Sequence, residues 1–524
     1  MRKRYSPFLF LAALVAHLSG SLQPALVAAT VLAPAPVVYT IRFPEPETHY
    51  AEVEMRVQTG GRASVELMMA TWSPGFYRVE DYAGRVENLS ARTNRGKAVA
   101  VERPQKNRWR IQTGGAPAVD VSYRLLCNQR SVTTNWVAED LGVLNGAATF
   151  ITPVDAIVRP HEVRLELPPK WKTAMTALDA APDGLPNHYR APDFDTLVDS
   201  PIIGGDLKVR EFDVSGSKHF VVDAGEVGSW DGEREAADLE KIVRETRRFW
   251  GFLPFKRYVF LNVFRAGGGG LEHKSSTLLT SNPARMTTPT LSWLGFVSHE
   301  YFHAFNVKRL RPVELGPFDY ERPPRTSSLW ISEGLTTYFG DLMVVRASLG
   351  TTEDFLSRLS GNISQLQSSP GRLAQTLEQS SLDVWNSGTS GVGRNNATTV
   401  SYYVKGPVVG FLLDARIQRL TGGRKSVDDV MRLAYKRYSG ARGFTAEQFR
   451  STAEEVAGAD LKEWFRKAIS STEELDYSEA LEWFGLRFGG RDGEQGTPDW
   501  KLEVRADGTE SQKSHLRVLT GAGT

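Results

Sequence analysis

A single cysteine, Cys127, stands in 524 residues, so no intramolecular disulfide can form and a cysteine-rich zinc site is excluded. Its neighbours Leu126 and Asn128 offer nothing to activate a thiolate, and Cys127 reads as a buried apolar residue. Long apolar runs are also scarce. The run Phe8 to Ala16 covers about nine residues, against the roughly 20 needed to cross a bilayer, and no later segment is long enough to span. Surplus charge of either sign is missing too: 63 Lys and Arg, three of them at Arg2, Lys3 and Arg4, face 61 Asp and Glu. Nothing in that balance points to nucleic acid or an anionic membrane as partner. Histidine is sparse at nine residues, so where those nine fall matters.

With 41% hydrophobic and 24% charged residues the chain is globular, and its length predicts more than one core. The start MRKRYSPFLFLAALVAHLSGSLQPALVAAT has a basic head, a short apolar run and small residues at Val27, Ala28 and Ala29, the layout of a secretory signal with cleavage after Ala29. The expected product is exported, periplasmic or secreted, with no membrane span once the signal is removed.

Beyond the signal, VVYTIRF, AEVEMRVQ, ASVELMM and HEVRLELP alternate with period two between Gly, Pro and Asn turns, which predicts an antiparallel β-rich domain over 30–212. From about Glu233 the period becomes helical, with helices expected near 291–306, 328–348, 352–367, 401–420, 425–438, 444–456 and 459–470. A strand-bearing start followed by these helices predicts a mostly α, α+β domain over 213–477. The tail, 478–524, reads as strand-like with polar turns and is too short for a confident core of its own. No fixed-period repeat or low-complexity tract appears, and nothing sets an oligomeric state.

The stretch VSHEYFHAF places His299 and His303 four apart, one turn of a helix, so two imidazoles can reach one metal ion. Glu300 projects from an adjacent angle, close enough to reach a metal-held water as general base. A catalytic zinc needs a third protein ligand and an open position. A close third histidine would fall at 309, which is Arg309; Glu314 and Glu321 lie in proline-broken loops. Glu333 lies in LWISEGLTTYFGDLMVV, whose apolar spacing is helical, and a second rigid helix holds a ligand in place. One Zn²⁺ per chain is expected on His299, His303 and Glu333. The basic run Lys308, Arg309, Leu310, Arg311 reads as a solvated turn or a set of local ion pairs.

HEYFHAFNVKRLRPVELGPFDY followed by LWISEGLTTYFGD, with TWSPGFYRVEDYAGRV further upstream, resembles the glycyl aminopeptidase family of gluzincin metallopeptidases. The resemblance runs from about Tyr39 to Gly489 and implies a β-rich N-terminal domain, a thermolysin-like catalytic domain and a C-terminal PDZ domain, of which 478–524 would hold a truncated or partial PDZ-like segment. The 29 residues between His303 and Glu333 look like an insertion this family carries. By the same resemblance GGGGLEH is the edge strand that binds substrate backbone through Gly269 and Gly270, with Glu272 holding the free α-ammonium. His273 replaces the Asn of aminopeptidase N-type enzymes there and suits a pocket or structural role better than metal ligation. Tyr402-Tyr403-Val404-Lys405-Gly406 resembles the Tyr-x-Lys-Gly segment, in which Tyr403 donates to the oxyanion and Tyr402 serves as a control. The implied activity is removal of small N-terminal residues, glycine or alanine, from peptides with a free N-terminus. Two other classes stay open on sequence: an exported non-catalytic peptide-binding protein with a structural metal, and a zinc endopeptidase.

Overall fold

The computed structural model describes residues 35–265, 267–282, 287–386, 393–489 and 499–521. The expected signal segment, 1–29, lies outside them. The described residues build the expected mixed α+β architecture, strand-rich at the start and helical later.

Alternation sets the first half. In Tyr50–Gln58 the residues Ala51, Val53, Met55 and Val57 are buried while Glu52, Glu54, Arg56 and Gln58 face solvent. This strand pairs antiparallel with Ala118–Leu126, from Tyr50 opposite Leu126 to Gln58 opposite Ala118, at the middle of an eight-stranded sheet. Two four-stranded sheets stand beside it. One pairing departs from the antiparallel expectation: Val37–Arg42 runs parallel to His161–Glu166. Cys127 is fully buried in this core, and burial pushes its thiol up to about 12.

The second half is organised by a five-stranded sheet in the order Lys208–Val214, Ser217–Gly225, Arg257–Phe264, Ser276–Ser281 and Gly269–Glu272. Among the described residues Gly269–Glu272 is therefore an edge strand, paired only with Ser276–Ser281. Helix Gly232–Trp250 is capped by Asp231, which accepts from Arg234 N, a contact worth about 0.5–2 kcal/mol. Its Glu235 is fully buried and accepts from Trp230 Nε1 (3.0 Å), Asn262 Nδ2 (3.0 Å) and Trp293 Nε1 (2.7 Å). Trp293 sits in the first turn of helix Leu291–Phe302, so these bonds fix the histidine-bearing helix to the sheet.

The predicted helices form close to their expected bounds, at Thr352–Ser368, Tyr402–Thr421, Val427–Tyr438, Ala446–Ala457 and Lys462–Ile469. Two differ. The histidine helix stops at Phe302, four residues early, and the chain turns away at Val307 with φ 142, a value β-branched residues rarely adopt. The segment expected as one helix over 328–348 opens with a π-helical turn, Trp330–Gly334, before Leu335–Arg346 continues as α-helix. No described helix is long and apolar enough to cross a membrane.

The tail was expected to be strand-like. Leu486–Gly489 and Asp499–Val504 do pair as a hairpin, but Glu510–Thr520 is a helix. Thr509 and Gln512 form its capping box and Gly521, at φ 71, ends it. Leu502 N donates to Ser360 Oγ (2.8 Å), Arg346 Nε donates to Leu519 O (2.9 Å), and Leu486, Leu502, Leu516 and Leu519 join the core of the helical half. A PDZ fold is not seen among these residues; what they form is a cover over the helices.

Candidate active site

A cavity of about 860 Å³ is lined by His299, Glu300, His303, Glu333, Glu272, Gly269, Gly270 and Tyr403, so the residues assigned a metal, catalytic or substrate role in the sequence meet in one place.

The two histidines hold their one-turn spacing although His303 is the helix cap, because His303 N still bonds His299 O at 3.2 Å. Their protonation follows from their partners. His303 Nδ1 lies 2.8 Å from the carbonyl of Asn306, which can only accept, so Nδ1 carries the hydrogen. Thr337 Oγ1 donates to Glu333 O (2.9 Å) and so accepts from His299 Nδ1 at 3.3 Å. Both Nε2 atoms are left with bare lone pairs facing each other at 2.9 Å, with Glu333 Oε2 at 3.1 Å from one and 3.7 Å from the other. Three acceptors converging on one point call for a cation, and two imidazoles with one carboxylate are a zinc-type donor set. The negative charge gathered here shows in the His303 imidazole: burial lowers it, but Glu333, Glu272 and Glu300 together carry it up to about 10, so a proton competes with a cation for its Nε2. Burial likewise opposes ionisation of Glu333, but His303 and His299 hold it well below the carboxylate range. Atoms of Glu272, Glu300 and His303 form a second close group, within 4.8 Å of one another. It is the poorer donor set, because His303 Nε2 is already directed at His299 and Glu333.

Two glycines bring Glu333 to Tyr403. Gly334 and Gly406 touch backbone to backbone; a Cβ on either would stand 2.6 Å from the other's Cα. The π-turn therefore packs directly on helix Tyr402–Thr421, and Tyr403 Oη donates to Glu333 Oε2 at 2.8 Å. Tyr402 points into the core instead, fully buried.

Glu300 and Glu272 are the buried carboxylates with unused oxygens. Glu300 Oε2 and Glu272 Oε1 have no hydrogen-bond partner among the described residues. Glu300 lies against bare Gly270 and Phe296, where a Cβ on Gly270 would collide with its carboxylate. Burial pushes Glu300 well above its ordinary value and Glu272 up to about 7.

Several site residues were missed in the sequence. The loop Ser73 to Tyr77, from the β-rich half, forms one wall: Tyr77 Oη donates to Glu333 Oε1 at 3.1 Å, and Gly75, at φ 100, lies so near Glu272 that a Cβ there would stand 2.4 Å from its Oε1. The spacer between His303 and Glu333 grips that loop. Trp72 Nε1 donates to Asp319 O (2.9 Å), Thr71 N to Tyr320 O (2.8 Å), and Trp72 packs on Phe318 and Tyr320. Asn306 ties the two ligand-bearing elements together, its Nδ2 donating to Ile331 O (2.8 Å) and Thr336 Oγ1 (2.9 Å). Neither alternative third ligand reaches the centre: Glu314 accepts from Thr326 and Glu321 from Arg108.

The basic run is neither solvated nor locally paired. Lys308 is buried, its Nζ 2.6 Å from Asp199 Oδ1, and Arg309 donates to the carbonyls of Lys274 and Ala304, both at 2.7 Å. His273 leans on the same Asp199 at 3.2 Å and belongs to neither close donor group. Against the effect of burial, Lys308 and His273 hold Asp199 well below the carboxylate range. This cluster braces the end of the edge strand that carries Glu272.

Residues 38–206 match the M61 peptidase N-terminal domain and residues 292–409 match the M61 glycyl aminopeptidase domain. The chain belongs to the M61 family. It is a metallopeptidase hydrolase. Among solved structures, this M61 peptidase resembles an aminopeptidase N family protein from Idiomarina loihiensis, 26% identical over 86% of this chain and 79% of that one, with a TM-score of 0.81. An M1 zinc metallopeptidase from Deinococcus radiodurans shares the fold at 14% identity, covering 85% of this chain and 95% of its own, with a TM-score of 0.53. Yeast LTA4 hydrolase in complex with bestatin shares it at 14% identity over 85% and 68%, with a TM-score of 0.50. No curated protein matches by sequence.

Proposed function

We propose that this M61 peptidase is a zinc aminopeptidase that removes small N-terminal residues, glycine or alanine, from peptides with a free N-terminus. The observation that carries the reading is Glu272: a buried carboxylate with an unused oxygen, at the end of an open edge strand and beside Glu300 and His303. An uncompensated buried carboxylate is best satisfied by a charge, and a substrate ammonium supplies one.

His299, His303 and Glu333 would hold the zinc. When bound, the ion supplies a Lewis acid that polarises the scissile carbonyl and acidifies water. Glu272 fixes the ammonium, and Gly269 and Gly270 offer free backbone groups to the peptide as an added strand. Glu300 takes a proton from the attacking water and returns it to the leaving amine. The Tyr403 hydroxyl, on the cavity wall, donates to the carbonyl oxygen as it gains charge. Gly75 closing on Glu272 narrows the first subsite and favours small side chains.

The test joins metal analysis to hydrolysis of a panel of Xaa-p-nitroanilides, with chelation and zinc add-back. Chelation should abolish turnover and zinc restore it, with Gly and Ala leading the panel; activity indifferent to chelator overturns the reading. Glu272→Ala should lose about 10- to 100-fold in kcat/KM on free-amine peptides, as expected for a charged hydrogen bond. Equal cleavage of N-acetylated peptides, unchanged by Glu272→Ala, would identify an endopeptidase instead.

Tyr77 holds the second oxygen of Glu333, so Tyr77→Phe should weaken zinc binding by about 10- to 100-fold, read by competition with a chromogenic chelator. Unchanged affinity would mean that Tyr77 only packs.

A further inference from the structure

We propose that Arg358 receives the C-terminal carboxylate of the substrate, which makes short peptides, tripeptides above all, the preferred substrate class; this rests on the aminopeptidase reading.

The cavity continues past the zinc-type centre to Ser292, Gly295, Asp341 and Arg358. Arg358, on helix Thr352–Ser368, donates through Nε to Asp341 Oδ1 on helix Leu335–Arg346. That bond occupies one edge of the guanidinium and sets its plane. Its terminal nitrogens have no hydrogen-bond partner among the described residues, and the side chain is 34% exposed, on the cavity wall. One of them lies over Gly295, where a Cβ would come within 2.5 Å of it. A cation oriented by a carboxylate, with its fork unoccupied in a substrate cavity, suits two-pronged recognition of another carboxylate.

The direction of the peptide follows from the edge strand. Glu272 stands level with Glu300 and His303, whereas Gly270 stands against Glu300 and Phe296. Going from Glu272 to Gly269 therefore leads toward the N-terminal end of helix Leu291–Phe302, where Gly295 and Arg358 lie. A peptide anchored by its ammonium at Glu272 can extend that way within one cavity, whose lining runs from Glu272, Gly270 and Gly269 on to Gly295 and Arg358. The span fits as well. His303 to Gly295 is about 12 Å along a helix at roughly 1.5 Å per residue. An extended tripeptide covers about 10 Å at roughly 3.3–3.6 Å per residue, and the two anchoring side chains supply the rest.

The experiment compares kcat/KM for Ala-Ala-Ala and its C-terminal amide, each with free and acetylated N-terminus, in the zinc-loaded wild type, Arg358→Gln and Gly295→Ala. The free carboxylate should be preferred over the amide by at least about tenfold in the wild type, carried by KM. Arg358→Gln should bring that ratio near one. Gly295→Ala, which displaces the guanidinium without removing its charge, should lower the ratio too, and decides the matter if Arg358→Gln does not fold. A wild-type ratio near one on free-amine peptides, or a ratio unmoved by either variant, overturns the assignment while leaving the aminopeptidase reading intact. Equal cleavage of free and acetylated N-termini removes that reading and this one with it.

Discussion

Glu300→Gln is expected to lower kcat by about 10²- to 10⁴-fold, the range for loss of a general acid-base group, with bound zinc retained. Glutamine keeps the shape of the side chain and its fit beside Gly270 and Phe296, so the loss reports the missing proton acceptor. Zinc content measured alongside turnover separates the two close donor groups. If His299, His303 and Glu333 hold the ion, the variant keeps it. If Glu272, Glu300 and His303 do, it loses metal together with activity. Full peptidase activity in a zinc-loaded variant would remove Glu300 from the mechanism.

Tyr403→Phe should cost about 10²- to 10³-fold in kcat, the effect of removing one donor to a developing oxyanion. Tyr402→Phe should leave kcat within a few-fold, because Tyr402 is buried in the core and does not line the cavity. In the structure the Tyr403 hydroxyl bonds Glu333 Oε2, so two roles compete for one hydrogen. The split between kcat and zinc affinity tells them apart. A drop in affinity with kcat preserved at saturating zinc would make Tyr403 a partner of Tyr77 in holding Glu333.

The residues that local pattern governs were legible in the sequence. AEVEMRVQ alternates because one face is wet, and the strand forms with that register. His299 and His303 are a helical turn apart, and the apolar spacing around Glu333 marked it over Glu314 and Glu321. What escaped notice depends on chain segments that meet only in three dimensions. Tyr77 reaches Glu333 across 256 residues, and Lys308 reaches Asp199 from a run that on its own looks like a wet turn. Arg358 carried no signal, since an arginine on an amphipathic helix usually faces water. The terminal helix was a different kind of miss: Thr509, Gln512 and Gly521 are local start and stop signals, overlooked beside the strand-like residues before them.

The long-range seat of Tyr77 also orders events in time. The β-rich half of the chain leaves the ribosome first, yet its contribution to the centre has no meaning until the spacer around Phe318 and Tyr320 has formed and caught Trp72. Closing so long a loop comes late in folding, after local helices and hairpins exist. Peptidase activity should thus arise as one of the last properties of the maturing chain, and partly folded intermediates, whose own loose segments would be easy prey, lack a finished blade.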